Sequence, residues 1–456
     1  MVDGRRDMSD SPASARKGFD GFLRRVDTDA LKVVRRLLGA GHEAYLVGGC
    51  VRDIYLGKQP KDFDVATSAT PESIRRLFRN SRIIGRRFKL AHVFFGPKII
   101  ETSTFRSAPR EAEGEDLLIR ADNEWGSVED DAMRRDFTVN GLFFDVEGRN
   151  VVDFVDGMRD LDEGLIRTIG TPEVRFREDP VRMIRAVKFA ARLDFDFERE
   201  TWKAMLSVAD DIAKCSRARL LEEVYKLLRG GSARRSFELL VETKLFEGIL
   251  PSYVKLYAPS MSEARTALHD AMIEAEDDLP PGEDPTAARL LWRYLDALDM
   301  TIQGTGHVPV NGVLLSVLFA PLLVADEDLQ SRQQLDRRID ELMSPVGSAL
   351  GIARRDREMA RQILMATRRM LSSSGRRRSN LTDRDYFHDA LTFLGISVQA
   401  TGDGKNELGR WTRMATALKD APSEAPPNRR RRRRGGRKRR RSRGGGDNRR
   451  PRPSDG

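Results

Sequence analysis

Short apolar runs rich in β-formers fill this chain up to about residue 171, and beyond that point apolar residues recur only at helical spacing. Side chains alternate faces along a strand but return every three or four residues on a helix, so the two periods demand different partners. A strand-bearing part therefore comes first and a helical part follows it. In the first part, DALKVVRRLLGAG runs to Gly39 and Gly41 as a helix ending does, and AYLVGG (44–49) is a short buried strand entering a glycine turn. VRDIYLG makes a brief helix and KDFDVAT a second strand. TPESIRRLFRN then opens with Thr70 as N-cap and Pro71 at the first helical position. RIIG, HVFFG and KIIETSTF supply further strands, the segment 107–127 is polar and irregular, and AMRRDFTVNGLFFD passes from helix to strand before RNVVDFVDG. In the second part REDPVRMIRAVKFAARL, RARLLEEVYKLLRGG and SARRSFELLVETKLFEGIL are amphipathic helices, and Met359, Ile363, Ala366 and Met370 form a core stripe at helical spacing.

Both ends depart from this pattern. Residues 1–22 are polar and read as a flexible leader, and from about Ala421 the Pro, Arg and Gly content rises abruptly. A segment such as NRRRRRRGGRKRRRSRGGG cannot bury apolar surface, so disorder is expected there. Of the net charge of +10, residues 428–456 contribute 15 Arg or Lys against two Asp, which leaves residues 1–427 at −3. No apolar run approaches a membrane span, and the N-terminus lacks the apolar core of a secretory signal. Two cysteines, Cys50 and Cys215, make neither a disulfide framework nor a zinc spacing, and the five histidines are scattered. A cytoplasmic location without a membrane partner is expected.

The stretch QPKDFDVATSATP puts Asp62 and Asp64 two positions apart, on one face if both lie in a strand, with Phe63 opposite. Two neighbouring carboxylates repel unless a cation sits between them. Just upstream, LVGGCVRD ends a strand in Gly48-Gly49 and starts a helix bearing Arg52. Glycine admits close approach of a ligand to the backbone, and helix N-terminal amides suit phosphate. A glycine turn, a cation and two carboxylates together suit a magnesium–triphosphate complex. Two residues are candidates for a third carboxylate: Asp136 in RRDFT, which a helix cap would also explain, and Glu101 in KIIETSTF, which a pair with Arg106 would also explain. In EDPVRMIR, Asp179 reads as the cap of a helix beginning at Pro180, with Arg182 and Arg185 three apart on one face.

LVGGCVRDIYLGKQPKDFDVATSATP, RRDFTVNGLFFD and REDPVRMIRAVKFAARLDF, in that order, resemble the bacterial class II nucleotidyltransferases, which comprise poly(A) polymerases and CCA-adding tRNA nucleotidyltransferases. The resemblance covers about residues 40–255. It implies an α+β fold: a polymerase-β-type head with a mixed sheet and helices (23–170), then an all-α neck binding nucleotide and RNA (171–255). A helical RNA-binding body (256–420) and the disordered basic tail (421–456) would follow. It implies Asp62 and Asp64 as ligands of Mg2+, Asp136 as the third catalytic residue with Glu101 as the alternative metal ligand, and ATP as substrate. It also assigns Asp179 and Arg182 to base selection, and Gly48, Gly49, Arg52, Arg135 and Arg185 to the nucleotide's phosphates or sugar.

Within the family, GRRFKLAHV (85–93) resembles the stretch that marks the poly(A) polymerase branch, and Arg86, Arg87 and Lys89 are candidates to grip primer phosphates. The arginine-rich tail suits an enzyme that holds arbitrary RNA through charge rather than sequence. The expected activity is template-independent addition of AMP to RNA 3′ ends, with RNA-decay proteins as candidate partners. A CCA-adding enzyme is the rival, and a catalytically inactive RNA-binding scaffold is the rival of another class.

Overall fold

The computed structural model describes residues 21–85, 89–107, 124–273, 286–326, 328–372 and 381–420. Most of the leader, Arg86 and Arg87, most of the polar 107–127 segment and the arginine-rich tail lie outside the described residues.

The first part alternates short strands and helices: α1 (Thr28–Gly39), β1 (Ala44–Val47), α2 (Gly49–Tyr55), β2 (Asp64–Thr67), α3 (Pro71–Leu77), β3 (Ser81–Ile84), β4 (Leu90–Phe95) and β5 (Lys98–Thr104). It continues with α4 (Val128–Met133), β6 (Leu142–Asp145), β7 (Asn150–Asp153), α5 (Gly157–Glu163) and β8 (Leu165–Ile166). Seven strands form one sheet in the order β3-β4-β5-β2-β1-β6-β7. Only the β2–β5 pair is parallel; the remaining neighbours are antiparallel. The expected starts are observed: Thr70 caps α3 by accepting from the Ser73 amide, with Pro71 following. Asp62 does not belong to β2, which begins at Asp64, so the two aspartates do not share a strand face.

Alternation along β1 and β2 sorts their residues into two layers. Leu46 and Val65 join the core beneath α1, with Val33, Val34 and Leu37, while Val47 and Ala66 meet Phe105, Ala132 and Phe143 on the other face. α1 is thereby fixed to the back of the sheet, and the face carrying Asp64 is left to a cavity.

The helical part holds α6 (Pro172–Glu178), α7 (Val181–Leu193), α8 (Arg199–Ser207), α9 (Arg217–Arg229), α10 (Ala233–Glu242), α11 (Leu245–Ile249), α12 (Pro251–Val254) and α13 (Met261–Ile273). Beyond these come α14 (Ala287–Thr305), α15 (Asn311–Val324), α16 (Arg332–Leu350), α17 (Arg354–Leu371), α18 (Phe387–Thr401) and α19 (Lys405–Asp420). One strand interrupts the helices: β9 (Asp196–Phe197) pairs in parallel with β8. Two residues are too few to leave a period in the sequence. The expected single helix from Ser232 also breaks, because Lys244 takes a left-handed conformation (φ 61°) between α10 and α11. α15 is buried along nearly its whole length and packs against α14, α16, α17 and α18, the position a helix apolar on every side requires. The stripe foreseen in α17 is core: Ile363, Ala366 and Met370 are buried. Among the described residues no helix is long and apolar enough to cross a membrane.

α10 begins without a side-chain cap of its own. Its first amides are met from a distance: Asp299 of α14 accepts from the Ala233 and Arg234 N–H groups at 2.7 and 2.9 Å. Asp299→Ala is expected to lose about 1–2 kcal/mol in urea unfolding, the range of a lost helix cap. Asp299→Asn keeps an acceptor and is expected to lose about half of that or less; equal losses would show that the cap contributes nothing.

Candidate active site

The turn between β1 and α2 requires glycine at position 48. Gly48 has φ 73° and ψ −126°, a conformation that side chains rarely adopt. A Cβ there would stand 3.3 Å from the Arg135 guanidinium and 3.6 Å from the Asn140 carbonyl. Gly48 and Gly49 edge a cavity of about 570 Å³ whose walls carry nine Arg or Lys side chains against six aspartates. Of the residues that the sequence assigned to metal and nucleotide, all but Glu101 line this cavity: Gly48, Gly49, Arg52, Asp62, Asp64, Arg135, Asp136, Asp179, Arg182 and Arg185. Lys89, a candidate for primer phosphates, does not, and Arg86 and Arg87 lie outside the described residues.

Sheet register places Glu101 beside them all the same. Asp64 of β2 is opposite Glu101 of β5, which is opposite His92 of β4, which is opposite Arg82 of β3. Residues so paired point to one face, making a polar file that runs from Asp64 to the sheet edge. The Glu101 carboxylate lies 3.5 Å from His92 Nε2. The Asp64 carboxyl is pushed up to about 6, chiefly because protein surrounds it on the sides away from the cavity, then by the charges of Glu101 and Asp62, with Arg135 opposing.

Asp136 is placed differently. It is buried, and its Oδ2 is 2.6 Å from Arg185 while its Oδ1 accepts from the Phe137 amide. Burial by itself would raise its pKa, yet Arg185, Arg182, the Asn140 side chain and that amide together hold it below the usual carboxylate range. Asp136 is thus tied into protein where Asp64 is not.

The cations are also held in place. Arg52 is only 2 % exposed; it donates through Nε and Nη2 to Asp53 Oδ1 at 2.8 and 2.6 Å and through Nη1 to Asn140 Oδ1 at 2.5 Å. Arg135 donates to Asp131 Oδ2 at 3.2 and 2.8 Å and lies over the Phe143 ring. Arg134 is pushed down to about 9, first by burial and then by Arg106, Arg175, Arg182 and Arg135 around it. So dense a group of guanidinium groups is electrostatically costly until a polyanion enters.

The Asp179 side chain does not cap α7. The cap position is taken by Pro180, which makes no side-chain cap bond, and only the Asp179 main-chain carbonyl receives the Arg182 amide. The carboxylate is instead held in a two-pronged pair by Arg219 of α9, at 2.9 and 2.8 Å. Such charge-assisted forks are about twice as strong as neutral hydrogen bonds, so they outcompete a cap. Arg182 donates through Nη1 to the Arg175 carbonyl and to Glu178 Oε2, both at 2.8 Å.

Five cavity cations escaped the sequence reading: Lys61, Arg106, Arg134, Arg192 and Arg219. Arg192 was detectable, because Arg182, Arg185, Phe189 and Arg192 step along α7 by three, four and three, and all four line the cavity. Arg134 stands beside Arg135 in RRD. Nothing local marks Arg219, whose place depends on how α9 packs against α7.

Among the described residues no group of three or more His, Cys, Asp or Glu stands close enough to hold an ion alone. Paired hard carboxylates such as Asp62 and Asp64 nonetheless fit magnesium, which takes one or two protein carboxylates and completes its shell with water and substrate phosphates.

Three family models match the chain: a poly A polymerase head domain over residues 44–167, a probable RNA and SrmB-binding site of polymerase A over 194–256, and a polymerase A arginine-rich C-terminus over 327–445. The chain is similar to a CCA-adding enzyme of Bacillus subtilis, 36% identical over 51% of this chain and 58% of the other. In structure it resembles the Bacillus stearothermophilus CCA-adding enzyme in complex with CTP, with a TM-score of 0.61 and 25% identity over 85% of this chain and 82% of that one. Likeness to poly(A) polymerase I of Salmonella typhimurium extends much further in sequence than the likeness to the B. subtilis protein, at 36% identity over 88% of this chain and 84% of the relative. On that breadth, together with the three matched models, the chain belongs to the poly(A) polymerase family of nucleotidyltransferases.

Proposed function

We propose that the chain transfers AMP from ATP to RNA 3′ ends without a template, by a magnesium-dependent nucleotidyl transfer. The observation that carries this reading is one cavity in which the free carboxylates of Asp62 and Asp64 face a wall of fixed cations. In the reaction the RNA 3′-oxygen bonds to the α-phosphorus as the link to the β-phosphate breaks, releasing pyrophosphate. The strand-bearing residues 23–170 would form the head, 171–255 the neck and 256–420 the body. A cytoplasmic setting, RNA-decay proteins as partners and no membrane follow from the same reading.

Asp62 and Asp64 would hold magnesium, which when bound lowers the pKa of the attacking hydroxyl and neutralises the triphosphate. For the third acid we favour Glu101, since it neighbours Asp64 across the parallel pair. Asp136, already bound to Arg185, would act by keeping that arginine aimed at the nucleotide. Gly48 and Gly49 would admit the phosphates close to the backbone, with Arg135 and Arg185 binding phosphate or sugar beside Arg52. Asp179 has lone pairs beyond those used by Arg219 and would accept from the adenine amino group, while Arg182 would donate to a ring nitrogen.

The test offers purified protein, magnesium and single nucleotides either an arbitrary RNA or a tRNA lacking its 3′ end. A long ladder on arbitrary RNA with ATP alone is expected; addition needing CTP and then ATP, stopping after three residues on tRNA, would make it a CCA-adding enzyme. Asp64→Asn is expected to slow incorporation on the order of a thousandfold, the effect of losing several kcal/mol of charge stabilisation, with circular dichroism and RNA binding unchanged. Glu101→Gln should raise the magnesium concentration needed, whereas Asp136→Asn should raise KM for ATP; exchanged effects would reverse the two assignments. Arg182→Ala should narrow the preference for ATP over CTP by about tenfold, the loss of roughly one hydrogen bond to a charged group. Equal slowing with both nucleotides would make Arg182 a structural residue only.

A further inference from the structure

The back of the sheet, opposite Asp64, carries a second concentration of positive charge. Arg35 and Arg36 end α1, and Arg75, Arg76 and Arg79 end and follow α3; all five are exposed. The two helices pack on one another, and the Arg36 guanidinium lies 5.2 Å from the centre of the Phe78 ring, which joins the helices to the core. None of the five forms an ion pair among the described residues. Their polar partners are neutral: Arg75 Nη1 donates to the Arg79 and Ser81 carbonyls, and Arg76 Nη2 to Ser73 Oγ at 3.1 Å. The aspartates at the other end of α1 are already engaged, Asp29 with Lys32 and both Asp27 and Asp29 with Lys98.

A basic residue in the last turn of a helix offsets the partial negative charge there, which accounts for one arginine at each end. It does not account for five, against the one acid of α3, Glu72 in its first turn, with which none of them forms an ion pair. The kind of partner follows from what the patch lacks. No large apolar side chain of Thr28–Gly39 or of residues 71–82 is exposed. A protein interface or a membrane-inserting face needs an apolar centre, whereas a nucleic-acid backbone needs only charge and planar donors.

We propose that this patch is a secondary RNA-backbone site, binding phosphates of the substrate strand upstream of the 3′ end that occupies the cavity. The proposal rests on the RNA-directed activity argued above. Because the patch and the cavity lie on opposite faces of one sheet, only an RNA long enough to pass around its edge reaches both. Short RNA uses the cavity alone.

The experiment compares the full chain with a variant combining Arg35→Gln, Arg76→Gln and Arg79→Gln, which spares the arginines stacked on Phe78 or bonded to main-chain carbonyls. Binding of a short and a several-fold longer unstructured RNA is titrated by fluorescence anisotropy over a range of salt. For the long RNA the variant is expected to bind about tenfold more weakly at moderate salt. Its log–log salt slope should be shallower by roughly 0.7 for each phosphate that the variant no longer neutralises. Affinity for the short RNA and the rate of AMP addition to it should match the parent. An unchanged salt slope on long RNA overturns the patch, and so does an equal loss on both lengths with thermal stability preserved. A paired reversal, Arg35→Glu with Arg79→Glu, deepens the long-RNA loss if the site is electrostatic. A parent protein that adds nothing to any RNA would instead overturn the proposed activity, so the two failures are distinguishable.

Discussion

The Arg175 guanidinium, 7% exposed, donates through Nη2 to two consecutive main-chain carbonyls, those of Arg134 and Arg135, at 2.5 and 2.8 Å. Through Nη1 it meets Glu178 Oε2 at 2.7 Å, and that same oxygen receives Arg182. One planar group thereby joins the segment leading into Asp136 to the helix that carries Arg182 and Arg185. Only arginine spreads its donors so that one side chain can reach three acceptors in fixed directions. A lysine would offer a point charge and leave at least one carbonyl unmet. The relative placement of Asp64, Asp136 and Asp179 depends on this junction between α6 and the sheet-bearing part, since the three acids come from separate elements.

Around that junction the protein tolerates charges that its own interior disfavours. Asp64 is displaced upward toward protonation, and Arg134 downward toward losing its proton. The displacements have opposite sign and sit in one cavity, which is the arrangement a bound cation and a polyphosphate would relieve together. The cost is borne by one large cluster of buried apolar residues with members from Phe22 in the strand-bearing part to Ala400 in α18. Fixed donors in such a cavity need little reorganisation when substrate arrives, and this is where preorganised electrostatics yields most of its effect.

Much of this was legible in the residues themselves. Thr70 with Pro71, the glycine turn at Gly48, the α17 stripe and the switch from strands to helices are all properties of near neighbours, and each was found where its pattern put it. Asp179 misled because a local rule was correct in form: an acid before Pro180 is well placed to cap, but Arg219 lies close enough in space to claim it. The β8–β9 pair escaped because two-residue strands carry no period, and Asp62 proved to precede β2 because strand ends obey the sheet rather than the motif.

The chain alone determined the order of its architecture, the glycine at the turn, the paired aspartates and the arginine run along α7, because periodicity, capping and backbone freedom act over a few residues. Tertiary structure decided which acid stands next to Asp64. Glu101 reaches that position through the parallel register of β2 and β5, while Asp136 is drawn to Arg185 by the packing of α7. It also decided that Arg219 would orient Asp179 and that five arginines would gather behind the sheet. Those juxtapositions join residues far apart in the chain, and only burial of the shared core brings them within reach of one another.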